Sequence, residues 1–187
     1  MDNINVKVSD EGGAFHNFTF DKVFDLESTQ EEVYEEVKST IEDVLKGYNG
    51  TIFAYGQSGS GKTYTMKGAD INDDNSKGII PRALTQIFDY IESENNKENN
   101  DIEFELRVSV LEIYLEKLYD LLNADEGSSK LDIKSTPNGT VVKGLIEQCV
   151  NDEEEMLSIF DEAEKRREVD TTSLNKTSSR SHLVFRL

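Results

Sequence analysis

The chain has 187 residues, 38 acidic side chains against 20 basic ones, and a formal net charge of −18. That balance argues against nucleic acid, which calls for a basic footprint, and the absence of any apolar run approaching the roughly 20 residues of a membrane span argues against insertion in a bilayer. A single cysteine, Cys149, leaves no internal disulfide and no cysteine cluster for zinc, reads as a buried or half-buried thiol, and points to a reducing cytoplasm or nucleus.

The first residues, Met1-Asp2-Asn3-Ile4-Asn5-Val6-Lys7-Val8, are polar and carry no signal-peptide pattern. Residues 18–24 alternate like a strand. Ser28 and Glu31 stand at capping-box spacing. Behind them Val33, Val37, Ile41 and Val44 recur at helical spacing as an inward stripe, and Gly47 stops the helix. Thr51-Ile52-Phe53-Ala54-Tyr55 is a short apolar run rich in β-formers, which fits a strand buried on both faces of a parallel sheet.

Gly56-Gln57-Ser58-Gly59-Ser60-Gly61-Lys62-Thr63 follows at once, a complete G-x-x-x-x-G-K-[ST] phosphate-binding loop. Its glycines let successive backbone N–H groups curl toward phosphate oxygens. Lys62 adds a point charge for the outer phosphates, and Thr63 offers a hydroxyl to magnesium. Strand, glycine loop and helix is the context the motif requires, and the helix N-terminus adds a favourable dipole.

Beyond it, residues 70–77 read as a polar loop. Pro81 suits the first turn of a helix running through Ile87 and Ile91. Residues 95–100 are low in complexity and read as a surface loop. Residues 102–114 are strand-like. Leu131-Asp132-Ile133 and Thr140-Val141-Val142 bracket a Pro-Asn-Gly turn, a hairpin signal. Residues 152–169 read as a helix with Met156, Ile159, Phe160 and Ala163 inward. There is no internal repeat and no domain boundary, and one core is expected.

Near the end stands Asn175-Lys176-Thr177-Ser178-Ser179-Arg180-Ser181-His182. Together with the phosphate loop it resembles the kinesin motor family, whose first nucleotide-sensing switch reads N-x-x-S-S-R-S-H. Gly47-Tyr48-Asn49-Gly50-Thr51, Gly78-Ile79-Ile80-Pro81-Arg82, Leu111-Glu112-Ile113-Tyr114 and Glu116-Lys117-Leu118-Tyr119-Asp120-Leu121-Leu122 look like further family signatures in the right order. The resemblance runs from about residue 18 to residue 187. Val33-Tyr34-Glu35-Glu36 and Val184-Phe185-Arg186 lean toward the centromere-associated branch.

The resemblance implies an α/β phosphate-loop NTPase fold, a three-layer sandwich with a mixed sheet flanked by helices, here incomplete. Residues 1–187 would be one partial motor domain, without the family's opening R-x-R-P segment, second switch and microtubule-gripping half. It implies ATP and Mg2+ as ligands, with Thr63 and Ser179 toward the metal and Asn175 and Ser178 beside the γ-phosphate and attacking water. Arg180 would close the site with a second-switch glutamate. Tyr64 stands where the family places a ring against adenine, and reads equally as a packing tyrosine. His182, with only His16 as a possible companion, reads as structural.

The function implied is an ATP-driven microtubule motor of the cytoplasmic cytoskeleton, including the spindle, with the hairpin at residues 134–139 as a tubulin-contact loop and Asn138 where a basic residue is frequent. A microtubule-stimulated ATPase is expected of the complete protein, and little turnover of this chain alone. Two alternatives stay open: a non-cycling kinesin remnant that binds nucleotide or a partner, and an unrelated phosphate-loop ATPase or GTPase. In the family the strand before the phosphate loop lies between two strands of the later half, so residues 51–55 are expected to lack neighbours here and the chain alone to be marginally stable or insoluble.

Overall fold

The computed structural model describes residues 4–98, 102–123, 131–137, 139–173 and 181–187, with side chains left out over 168–173. The chain packs as two compact units, Met1–Ala54 with Lys62–Arg82, and Tyr55–Gly61 with Ala83–Leu187.

The first unit opens with a hairpin that the alternation at residues 18–24 placed too late. Strand β1 (Asn5–Ser9) pairs antiparallel with β2 (Phe15–Thr19), Asn5 opposite Thr19 and Ser9 opposite Phe15. Its turn is built on Asp10, whose carboxylate accepts from the Gly12 and Ala14 amides at 2.9 Å each and from His16 Nε2 at 3.1 Å. The His16 contact, with those amides, holds the Asp10 carboxyl below the usual carboxylate range.

Helix α1 (Gln30–Leu45) begins one residue later than the Ser28–Glu31 spacing suggested. Thr29 is the N-cap: its Oγ1 accepts from Glu32 N at 3.2 Å, and Glu32 Oε2 accepts from Thr29 N at 2.8 Å. Ser28 instead closes the preceding turn on Asp25. Gly47 ends the helix at φ +97°, as expected of a residue that reaches positive φ without a Cβ clash. The stripe expected as core is only half-buried at Val33, Val37 and Ile41, and Val44 is exposed; the deeply buried residues of α1 are Gln30 and Tyr34. Burial pushes the Tyr34 phenol up to about 12.

Helix α2 (Lys62–Met66) is a little over one turn long, because the backbone at Gly68 takes φ +96° and crosses residues 76–78. The crossing is an isolated antiparallel bridge between Gly68 and Lys77, with Gly78 N donating to Lys67 O at 2.8 Å and Ala69 N to Ser76 O at 3.1 Å. It pinches off the polar loop at residues 70–77. Arg82 holds that loop from below, donating to Lys77 O at 3.2 Å and to Asp74 O, while Lys77 pairs with Asp74 at 2.7 Å. Helix α3 (Ile79–Asn95) starts directly after, with Pro81 in its first turn.

In the second unit β3 (Leu106–Tyr114) is the organising strand. It pairs antiparallel with β4 (Lys117–Asp120), with β7 (Gln148–Val150) and with β8 (Ser181–Arg186). Val108, Ser109, Val110, Leu111 and Glu112 are all buried, so both faces of the strand are covered, as its near-continuous apolar run requires. Residues 102–105, read as part of this strand, lie outside it. A hairpin of β5 (Asp132–Thr136) and β6 (Gly139–Lys143) stands apart, in the register its turn signal predicts.

Helix α4 (Glu153–Ser173) lays Met156, Ile159, Phe160 and Ala163 inward, and Phe160 meets Phe185 of β8 edge to face at 5.1 Å. With Leu84 and Ile87 of α3 and Val108 and Val110 of β3 they form the core. Thr85 Oγ1 donates to Glu153 Oε1 at 2.6 Å.

Residues 51–55, expected as a buried strand, form none. Phe53 is 80% and Tyr55 95% exposed. The β-forming sequence is present, but a strand exists only through a neighbour's N–H and C=O groups, and no described strand lies beside it. Cys149 is likewise exposed rather than buried: β7 turns Val150 inward, so the preceding residue faces out, where Sγ donates to Glu105 Oε1 at 3.3 Å.

Candidate functional site

Gly56-Gln57-Ser58-Gly59-Ser60-Gly61 is an irregular loop with one internal turn, Ser60 N donating to Gln57 O at 3.2 Å. Gly59 and Gly61 hold φ +78° and +90°, where L side chains are strained. A Cβ on Gly56 would stand 2.4 Å from Ser60 Oγ. A backbone wound this tightly, with alternate residues at positive φ, is the arrangement that points amides at an anion, so the loop residues fit a phosphate group.

Lys62 and Thr63 open α2, and Thr63 O accepts from Lys67 N at 2.8 Å. Five residues align too few peptide dipoles for a strong macrodipole. Tyr64 is 54% exposed. Its carbonyl accepts from Gln30 Nε2 at 2.6 Å. Gln30 is buried at the first turn of α1, so this bond ties α2 to α1; nothing in the local pattern around Gln30 announced it.

Asn175, Ser178, Ser179 and Arg180 lie outside the described residues, as does Asn138. The segment that carries the first four is flanked by α4 and β8, and Ser181 and His182 open β8 opposite Tyr114 and Ile113 of β3. His182 is exposed. Among the described residues no group of three or more His, Cys, Asp or Glu is placed to hold a metal ion, and no helix is long and apolar enough to cross a membrane.

Sequence reasoning missed a buried acid and the half-buried base beside it. Glu112 of β3 and Arg167 of α4 meet with Arg167 Nε 3.5 Å from Glu112 Oε1, their side chains 5% and 15% exposed. Arg167 Nη2 donates to Ser181 Oγ at 3.2 Å. The residues lie on elements far apart in sequence, and only the fold brings them together.

A family profile for the kinesin motor domain matches residues 2–187. The chain is 45% identical over 169 residues to a kinesin heavy chain from Syncephalastrum racemosum, covering 90% of this chain and 18% of that protein. It is 46% identical over 172 residues to kinesin-related protein 5 from Dictyostelium discoideum, and 44% identical over 170 residues to the human kinesin-1 heavy chain, in each case covering 90% of this chain and 17% of the relative. A solved structure described as that of a fast kinesin superposes with a TM-score of 0.89 at 41% identity, over 99% of this chain and 51% of that one. The chain thus spans under a fifth of these curated relatives and about half of the solved structure. These relatives do not place it in the centromere-associated branch.

Proposed function

Since the chain belongs to the kinesin motor-domain family, we propose that it forms the nucleotide-binding part of an ATP-driven microtubule motor, a microtubule-stimulated ATPase of the cytoplasmic cytoskeleton. Family membership removes the reading as an unrelated phosphate-loop enzyme. The observation that carries the proposal is the wound glycine loop at residues 56–61, with positive φ at Gly59 and Gly61, leading into Lys62 and Thr63 at the head of α2.

Phosphoryl transfer asks for positioning and charge neutralisation more than for covalent help. The amides of Gln57, Ser58, Gly59, Ser60, Gly61, Lys62 and Thr63, with the Lys62 ammonium, bind and orient the β- and γ-phosphates. Thr63 and Ser179 hold Mg2+, which supplies further neutralisation of the phosphates when bound. Asn175 and Ser178 orient the attacking water, Arg180 closes the site, and the half-exposed Tyr64 ring supports the adenine. Microtubules are the track. Nucleic acid and membrane are not partners, in keeping with the net charge of −18.

Residues 1–187 act as one partial motor domain, with weak nucleotide binding and little turnover of their own. The test is fluorescent-nucleotide binding to the wild-type chain and to Lys62→Ala, with ATP and GTP as competitors. The expected result is binding in the wild type that ATP displaces better than GTP, and none in the variant. Unchanged affinity in Lys62→Ala would sink the site assignment.

A further inference from the structure

We infer that Gln30 is a positioning residue for the phosphate grip of Lys62 and Thr63, acting through the backbone of α2; the inference rests on the reading just given. Gln30 is the first residue of α1, and the capping box between Thr29 and Glu32 fixes the turn that carries it. Its side chain is polar, yet the residue is only 5% exposed. Burying an amide is unfavourable unless its donors and acceptors find partners, so an apolar residue would fill this place with less desolvation. The partner Gln30 finds is the carbonyl of Tyr64, to which Nε2 donates at 2.6 Å. Both residues, with Lys62 and Thr63, belong to one compact unit.

Tyr64 directly follows Lys62 and Thr63 in α2. A helix of five residues is too short to hold its own shape in water and must be set from outside. The crossing beyond its end does so at Lys67, whose carbonyl accepts from Gly78 N at 2.8 Å. A single tie would leave the helix free to roll about its axis. Gln30 supplies another at Tyr64, on a carbonyl of the last turn, where a helix's own ladder runs out. Successive helical residues are spaced about 100° around the axis, so fixing the Tyr64 carbonyl also fixes the directions in which Lys62 and Thr63 leave the backbone. A binding constellation tolerates about 0.5 Å of misplacement, so a small roll is enough to weaken it. The Tyr64 ring turns on its own side-chain torsions, so the bond acts on the residues that grip phosphate and not on the base.

The experiment measures displacement of a fluorescent ATP analogue from the full chain, with Mg2+ present, by ATP and by inorganic tripolyphosphate. Gln30→Met keeps the length of the side chain and loses the donor. Gln30→Asn keeps an amide but is one methylene too short to reach. Gly13→Ala, a strained substitution at φ +79° in the β1–β2 turn, is the control for lost stability. Each Gln30 variant is expected to weaken ATP and tripolyphosphate alike, about fivefold, the size of one neutral hydrogen bond. Gly13→Ala stays within about twofold of the wild type for both. Either Gln30 variant that folds by circular dichroism decides the matter, and failure of both to fold overturns the inference, since the amide would then be structural. Wild-type affinities overturn it too, as does a loss for ATP alone, which would place the effect on the base, or an equal loss in Gly13→Ala, which would make it one of stability. Lys62→Ala separates the two proposals: if it leaves binding intact, the underlying site assignment has failed, whereas if it abolishes binding and the Gln30 variants behave as wild type, only the role of Gln30 falls.

Discussion

Substituting Gly68 by alanine tests the backbone crossing that ends α2. Gly68 sits at φ +96°, where a Cβ costs about 1–2 kcal/mol. That Cβ would also lie 2.1 Å from Ser76 O, 2.6 Å from Gly78 N and 2.7 Å from Lys77 Cα. All three are backbone atoms and cannot swing aside, so the crossing must open. Opening it forfeits the bonds from Gly78 N to Lys67 O and from Ala69 N to Ser76 O, each about 1 kcal/mol net. The sum is about 3–4 kcal/mol. Gly13 supplies the comparison, with φ +79° and nothing within 4 Å of its Cβ, so Gly13→Ala should cost only the local strain, about 1–2 kcal/mol. In urea unfolding, with a slope of about 2 kcal/mol/M, Gly68→Ala should lower the midpoint by about 1.5–2 M and Gly13→Ala by about 0.5–1 M. Equal shifts for the two variants would refute the close approach as the cause and leave strain alone.

Phe160→Ala should destabilise by about 3–5 kcal/mol, since the ring is almost wholly buried and meets Phe185 edge to face; a loss below about 1 kcal/mol by urea titration would mean α4 does not pack as described. Thr29→Ala should cost about 1 kcal/mol and Ser28→Ala only a few tenths, and the reverse order by thermal melting would restore the Ser28 cap. Leu115 and Glu116 form the two-residue turn between β3 and β4 with φ of 48° and 62°. Leu115→Gly should therefore raise stability by about 1 kcal/mol, and a lowered melting temperature would count against that turn. Tyr34 has its phenol raised from 10.0 to about 12, so the folded state holds this proton more tightly than the unfolded chain. Its contribution is complete below pH 10 and fades as pH climbs to about 12; among the seven tyrosines one should ionise late in an ultraviolet titration of the folded chain, and simultaneous ionisation of all seven would contradict its burial.

The parts of the fold that the sequence announces are those where one short window holds the whole cause. The inward face of α4 was legible because Met156, Ile159, Phe160 and Ala163 recur at helical spacing, and the β5–β6 hairpin because Pro137 and Gly139 flank its turn. The cap of α1 slipped by one because Ser28-Thr29-Gln30-Glu31-Glu32 satisfies the spacing twice, and only the extended backbone at Thr29 chooses between them. The β3–β4 turn was invisible because Leu115 and Glu116 are not turn formers. Residues 51–55 carry a strand's composition without a strand's partner, and composition cannot report pairing. The glycine loop was readable residue by residue, whereas the Arg167, Glu112 and Ser181 cluster depends on α4, β3 and β8 meeting.

The pairing of β3 with β8 has a bearing on how the chain is made. The ribosome completes β3 at Tyr114 but does not supply Ser181–Arg186 until about 70 residues later, a wait of roughly 4–14 s at 5–20 residues per second. Throughout that interval the central strand has the hairpin partner β4 on one edge and nothing yet to fill the β8 position. Pausing, chaperone capture and premature release on the ribosome should all act on that one open edge.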